Sequence, residues 1–182
     1  MLRRMTRREI ALARIVSREL RKERSSVAHQ GNLFPDNQFR DAPTLREFML
    51  AGKAKITVRS EKTLKHFTYK IRKDKDSEKR FVHRLVADNN YVYIGTVFED
   101  GHFNWTKRSA HHRSSDAYKG FEWLWSRVGQ GILPRDVTVF HEGRCGMCGL
   151  ELTDPISIKE GYGPDCRKKR LRHSAIQDSN KS

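Results

Sequence analysis

Long apolar runs are missing from this chain of 182 residues. No stretch approaches the roughly eighteen consecutive apolar residues that a membrane span needs, so no membrane contact of that kind is expected. Cysteine is scarce as well. There are three, all between positions 145 and 166. So few, in odd number, do not build a disulfide framework and suit a reducing cytoplasm. The start, MLRRMTRREI, lacks the apolar stretch of a secretory signal. No Gly-rich phosphate loop, nucleophile elbow or H-E-x-x-H helix is present. Asp74, Asp76, Asp88, Glu99, Asp100, Asp116 and Asp136 read mostly as turn residues. No catalytic residue is assigned, no small-molecule substrate is evident, and a non-enzymatic protein is expected.

Acidic residues are also in deficit, 22 against 37 Lys and Arg, for a net charge of +15. The excess sits at the ends. Residues 1–30 carry +6 and residues 167–182 carry +5, which leaves +4 for the 136 residues between. Two basic ends on a nearly balanced middle suit a polyanion: nucleic acid or an acidic protein face. A solvated helix and tail would carry the same charge.

The densest chemical signal is His141–Cys166, HEGRCGMCGLELTDPISIKEGYGPDC. Cys145 and Cys148 form a C-x2-C pair, and Cys166 follows after seventeen residues. Two thiolates so spaced can hold one ion from a tight turn, and a second turn must return the other ligands. Gly143, Gly146, Gly149, Gly161 and Gly163 let those turns form. The expected metal is Zn2+. The fourth ligand is best supplied by His141, in the spacing H-x3-C-x2-C-x17-C. His173, His111, His112, Asp165 or water are the alternatives. Three free buried cysteines or a redox pair are the competing readings, but a redox C-x-x-C opens a helix after a strand, and this one lies in a glycine-rich turn.

The rest of the chain reads as α+β. Residues 1–24 carry a basic amphipathic helix with Leu2, Met5, Leu12, Val16 and Leu20 on one stripe. Residues 25–43 look like a linker with Phe34 and Phe39 as anchors. Residues 44–136 form a sheet-and-helix domain. Thr44 and Glu47 make a capping box that opens a short helix, and Gly52 closes it. Strands are expected at 55–59, 66–72, 80–87, 91–98 and 102–106, in an antiparallel meander. Alternation in the second puts Phe67, Tyr69 and Ile71 on one face, and Lys70 and Arg72 on the other. A helix at 115–129 presents Ala117, Phe121, Leu124 and Val128 to the sheet, with Tyr118 and Trp125 at the stripe's edge. Trp123 points away, either to pack under a neighbouring element or to meet a base or a partner. A strand at 137–140 leads into the zinc module, 137–166. The tail, 167–182, is basic and is expected to be without regular structure beyond Leu171.

His141, Gly143, Arg144, Cys145, Cys148, Gly149, Leu152, Thr153, Pro155, Ser157, Ile158, Gly161, Gly163, Pro164 and Cys166 together match H-x-G-R-C-x-x-C-G-x-x-L-T-x-P-x-S-I-x-x-G-x-G-P-x-C. The segment resembles a tailed-bacteriophage protein family of unknown function with a small zinc-ribbon or treble-clef-like module at its C-terminus. The stretch from AGKAKITVRS to GFEWLW resembles the sheet-and-helix part that accompanies that module, and the likeness spans roughly 44–166. It departs at Leu150, where a basic residue is common, and at Thr63-Leu64, where a Thr-Gly step is usual. The resemblance implies zinc and a phage origin and brings no settled activity.

Three functions compete. The first is nucleic-acid binding, DNA or RNA, by the basic ends and an aromatic, basic sheet. Its candidate contacts are Arg3, Arg4, Arg7, Arg8, Lys70, Arg72, Arg84, Lys107, Arg108, Arg167, Lys168, Lys169 and Arg170, with Lys65 and Arg80 as further cations. Tyr69, Tyr91, Tyr93, Phe103 and Trp105 are candidate stackers, of which at least half should instead be core. The second is docking on a host complex (polymerase, ribosome or nuclease) as a takeover or inhibitor factor, through Leu12, Val16, Leu20 and Trp123. The third is a minor virion component.

Overall fold

The computed structural model describes residues 37–179, with side chains to Arg172. The expected basic N-terminal helix, Phe34, and the candidates Arg3, Arg4, Arg7, Arg8, Leu12, Val16 and Leu20 lie outside the described residues. The rest is α+β.

Helix α1 (Ala42–Leu50) starts two residues before Thr44. Asp41, not Thr44, is the cap: its carboxylate accepts the Thr44 amide at 2.8 Å. Pro43 falls in the first turn, where a missing N–H costs nothing. Five strands follow: β1 (Lys53–Ser60), β2 (His66–Lys73), β3 (Arg80–Ala87), β4 (Asn90–Val97) and β5 (Phe103–Asn104). Helix α2 (Asp116–Gly129) is capped by the Ser115 hydroxyl, and β6 (Val137–His141) then pairs with β1. The six strands form one antiparallel half-barrel sheet in the order β5-β4-β3-β2-β1-β6. The far side of β6 is covered by residues 37–39. There the Phe39 amide donates to Val139, and Gln38 bridges to Phe140.

One face of the sheet carries α1 and α2. Ala54, Ile56, Tyr69, Ile71, Val82 and Ile94 are fully buried there against Leu45, Phe48, Phe121 and Leu124. The expected α2 stripe is buried along its length, Tyr118 and Trp125 included. Burying each such large apolar side chain is worth roughly 1.5–3 kcal/mol, so this face carries the sheet's stability. Tyr69 and Phe103 belong to this core and not to a stacking surface. The Tyr69 hydroxyl donates to the Ala117 carbonyl at 2.8 Å.

A bulge shapes the other face. Val82 pairs with Gly95 and His83 with Tyr93, so Ile94 has no partner and drops into the core. Tyr93 then turns to the open face beside Phe81 and His83, with Thr96 buried next to it. Gly95 is required at this point, because a β-carbon there would stand 2.6 Å from the Phe103 ring.

After β6 come two helices, α3 (Pro155–Glu160) and α4 (Pro164–Ser179). The latter corrects the expectation for the tail, which is helical well past Leu171. No Gly or Pro interrupts residues 165–179, and an Arg170–Glu47 ion pair at 3.0 Å ties the helix to α1.

Candidate metal centre and open sheet face

The C-x2-C pair sits on the tip of a small hairpin. Arg144 bridges to Glu151, the Cys145 amide donates to Leu150 and the Gly149 amide to Cys145. Gly149 has φ +79, which a side chain would strain. Asp154 caps α3, and Gly161 ends it at φ 75. Cys166 falls in the first turn of α4.

These turns bring Cys145, Cys148 and Cys166 together, with all three sulfurs within 4.8 Å of one another. Burial raises the Cys145 thiol, but the backbone amides of Cys148, Gly163 and Met147 outweigh it and leave the group below its ordinary value. Burial and the two neighbouring sulfurs push Cys166 up to about 12. A cation among them would relieve that crowding, since its charge favours all three thiolates. The donor set therefore fits a soft or borderline metal ion.

His141 does not join the thiols. Its Nδ1 accepts the Gly143 amide at 3.1 Å, and its Nε2 donates to the Ile158 carbonyl at 2.6 Å. Both ring nitrogens are spent on backbone. The ring is 2% exposed and packs against Phe39 and Phe48. Among the described residues, no His, Asp or Glu donor lies with the three sulfurs. Asp165 is exposed on α4, and His111 and His112 lie in the loop after β5, where the Trp105 indole donates to the His111 carbonyl.

The second candidate site is the open face of the sheet. The β1–β2 and β2–β3 registers put Lys53 beside Arg72, Lys55 beside Lys70, Arg72 beside Phe81 and Lys70 beside His83. A groove of about 1280 Å³ runs over this face, with Phe81, His83 and Tyr93 on its floor. Lys53, Arg72, Lys79, Lys107 and Arg108 reach it, against one carboxylate, Asp74, which is held by the Lys75 amide and the Ser77 hydroxyl. A smaller cavity of about 260 Å³ continues past Lys55 and Lys70 to Arg144 and Gly149 on the cysteine hairpin. Partial burial, with Arg72 and Lys55 nearby, lowers the Lys70 pKa below the usual ammonium value.

The groove's outer wall is anchored. The Thr106 hydroxyl donates to the Tyr93 oxygen at 3.2 Å, and the Ala110 amide donates to the Tyr93 carbonyl at 2.8 Å. Those bonds hold the loop carrying Lys107 and Arg108 against β4.

The other sequence candidates disperse. Arg84 pairs with Tyr69 on the helix-bearing face and lies over the Phe67 ring at 5.1 Å, away from Lys70 and Arg72. Arg80, on that same face, donates to the Leu50 and Glu78 carbonyls. Lys65 is paired with Asp116. Arg167 pairs with Glu160, Arg170 lies over the Tyr162 ring, and Lys168 and Lys169 are exposed on α4. Tyr91 is covered by the Lys70 and Lys55 ammonium groups at 4.1 and 5.1 Å. Trp123 is 40% exposed on α2. Phe81 and His83 were missed in the sequence, although alternation about Val82 puts them on one face with each other.

Comparison with known proteins adds one likeness. A model described as a family of unknown function (DUF6011) matches residues 136–171, which is β6, the cysteine hairpin, α3 and the start of α4. No curated protein and no solved structure matches the chain. Among the described residues, no helix is long and apolar enough to cross a membrane.

Proposed function

We propose that this is a non-enzymatic, zinc-containing nucleic-acid-binding protein. The open face of the sheet is its ligand surface, and the C-terminal module is a structural zinc-ribbon or treble-clef-like unit. The observation that supports it is the groove: a cationic face with one carboxylate and an aromatic floor, on the side of the sheet that no helix among the described residues covers. Among the described residues, Arg72, Lys107 and Arg108 form no ion pair with a carboxylate, so a phosphate would meet cations not already neutralised within the fold. Cys145, Cys148 and Cys166 would hold Zn2+, which supplies folding free energy and no chemistry. The resemblance of its C-terminal segment to a phage family supports the bacterial host cytoplasm as its place of action.

The test is binding of fluorescein-labelled DNA and RNA by anisotropy over a range of salt. The logarithm of the affinity should fall linearly with the logarithm of salt concentration. Lys107→Ala and Arg72→Ala should each shorten that slope by about 1. Absence of binding to either polymer at low salt would sink the reading.

Docking on an acidic host protein complex has one structural footing, the exposed indole of Trp123 on α2. Capture that survives nuclease and is lost in Trp123→Ala would favour it.

A further inference from the structure

The proposed ligand face is not an even field of charge. Its aromatic rings are concentrated at the centre and its cations at the margins. Phe81 and His83 alternate along β3, and Tyr93 stands across from His83 on β4. Ring centroids lie 6.2 Å apart for Phe81 and Tyr93, and 5.7 Å for His83 and Tyr93. Both pairs are edge-on, so no two of these rings lie face to face. Phe81 is 36% exposed, a large apolar ring kept in solvent beside charged neighbours. The Tyr93 hydroxyl is fixed by Thr96 at 2.6 Å, which holds its ring in place. On one margin stand Lys53 and Arg72, and on the other Lys107 and Arg108.

This distribution separates ligand classes. A duplex hides its base faces and offers phosphates and groove edges, so it would use the margins and leave the central rings idle. An acidic protein would likewise use the cations alone. Unstacked bases offer flat π-faces to the rings while their phosphates reach the margins. We propose, building on the reading above, that the ligand is single-stranded nucleic acid, laid across Phe81, His83 and Tyr93 with its phosphates on the two cationic margins. Tyr91 is not part of the platform, because Lys70 and Lys55 already occupy its ring. The smaller cavity carries the path on to Arg144, so the cysteine hairpin forms the far end of the same track.

The experiment compares one labelled sequence as a single strand and as a duplex, for DNA and for RNA, against the full chain loaded with zinc. The single strand should bind at least about tenfold more tightly. Phe81→Ala should weaken it by roughly 5- to 100-fold with an unchanged salt slope, since a stacking contact releases no counterions. Phe81→Tyr should restore binding, and Ile132→Ala, exposed outside the groove, should change nothing. Thermal melting of each variant shows that the fold is kept. A duplex bound as tightly as the single strand, or a folded Phe81→Ala with full affinity, overturns the stacking platform while nucleic-acid binding stands. No binding to either form overturns both.

Discussion

The Phe48 ring lies 2.8 Å from the place where a β-carbon on Gly146 would stand. The same edge of the ring lies 2.9 Å from the corresponding position on Gly161. Phe48 is thus seated against the cysteine knuckle and the end of α3, where the Gly146 amide donates to the Gly161 carbonyl. Gly146→Ala should therefore destabilise the protein by about 1–3 kcal/mol through overpacking. Phe48→Leu should also destabilise, by loosening the core. Combined, the two should cost less than their sum, because the smaller side chain makes room for the methyl. Thermal unfolding of the four proteins of the cycle checks this, and strict additivity would refute it.

His141 separates a structural from a ligating histidine. Replacing it with Gln strands the Ile158 carbonyl and the Gly143 amide and should cost about 1–3 kcal/mol. Metal stoichiometry should hold. In the cobalt-substituted protein, the thiolate-to-metal absorption should keep its intensity. A folded variant that no longer binds metal would show His141 to be a ligand.

The same residue sets a pH dependence. Burial holds its pKa below the ordinary 6.5, with the hydrogen bond to Ile158 acting the other way. His83 is lowered too, by burial and by Lys70. The unfolded chain then takes up protons first as pH falls. Stability should be flat above about 6.5 and decline below it, down to the folded-state pKa. Thiolate protonation adds loss in the same direction when metal is bound, so the informative quantity is the difference from His141→Gln, whose acid slope should be shallower. Equal slopes would remove His141 from the account.

Metal and stability should move together at the thiols. Cys148→Ser should lower both zinc content and melting temperature, and a chelator should depress the melting temperature of the parent more than that of the variant. A variant with parental zinc content and stability would show that the cluster does not serve as a metal site.

Leu64 stands in the left-handed region, at φ 57, in the β1–β2 turn. An L side chain there costs about 1–2 kcal/mol, partly offset by the extra entropy glycine loses on folding. Leu64→Gly should stabilise by about 0.5 kcal/mol, and Leu64→Val should destabilise by about 1 kcal/mol, since a branched β-carbon fits that region worst. Urea unfolding resolves both, and a destabilising glycine would contradict the strain.

Much of the architecture was legible locally. The α2 stripe and the alternation of β2 are short-range patterns, and both match the buried faces. The clustering of the thiols followed from spacing and turn glycines. The misplacements are long-range. Which way Arg84 faces depends on pairing with Tyr69, and β3 reads RFVHRLVA, with too little contrast to declare a face. His141 matched a ligand spacing, but its nitrogens are engaged by Gly143 and Ile158, whose approach no spacing shows. The start of α1 turned on competition between two good caps, Asp41 and Thr44, which Pro43 in the first turn decided.

The pairing of β6 with β1 also sets an order of events at the ribosome. The meander β1–β5 is synthesised long before Val137–His141 emerges, so in the nascent chain one edge of β1 waits without its partner. The cysteine hairpin follows β6 directly, and its glycines complete the seat around Phe48. With the thiols holding an ion as proposed, its capture would be the closing act of synthesis, and chains deprived of it would keep a formed sheet whose last seam is unsewn.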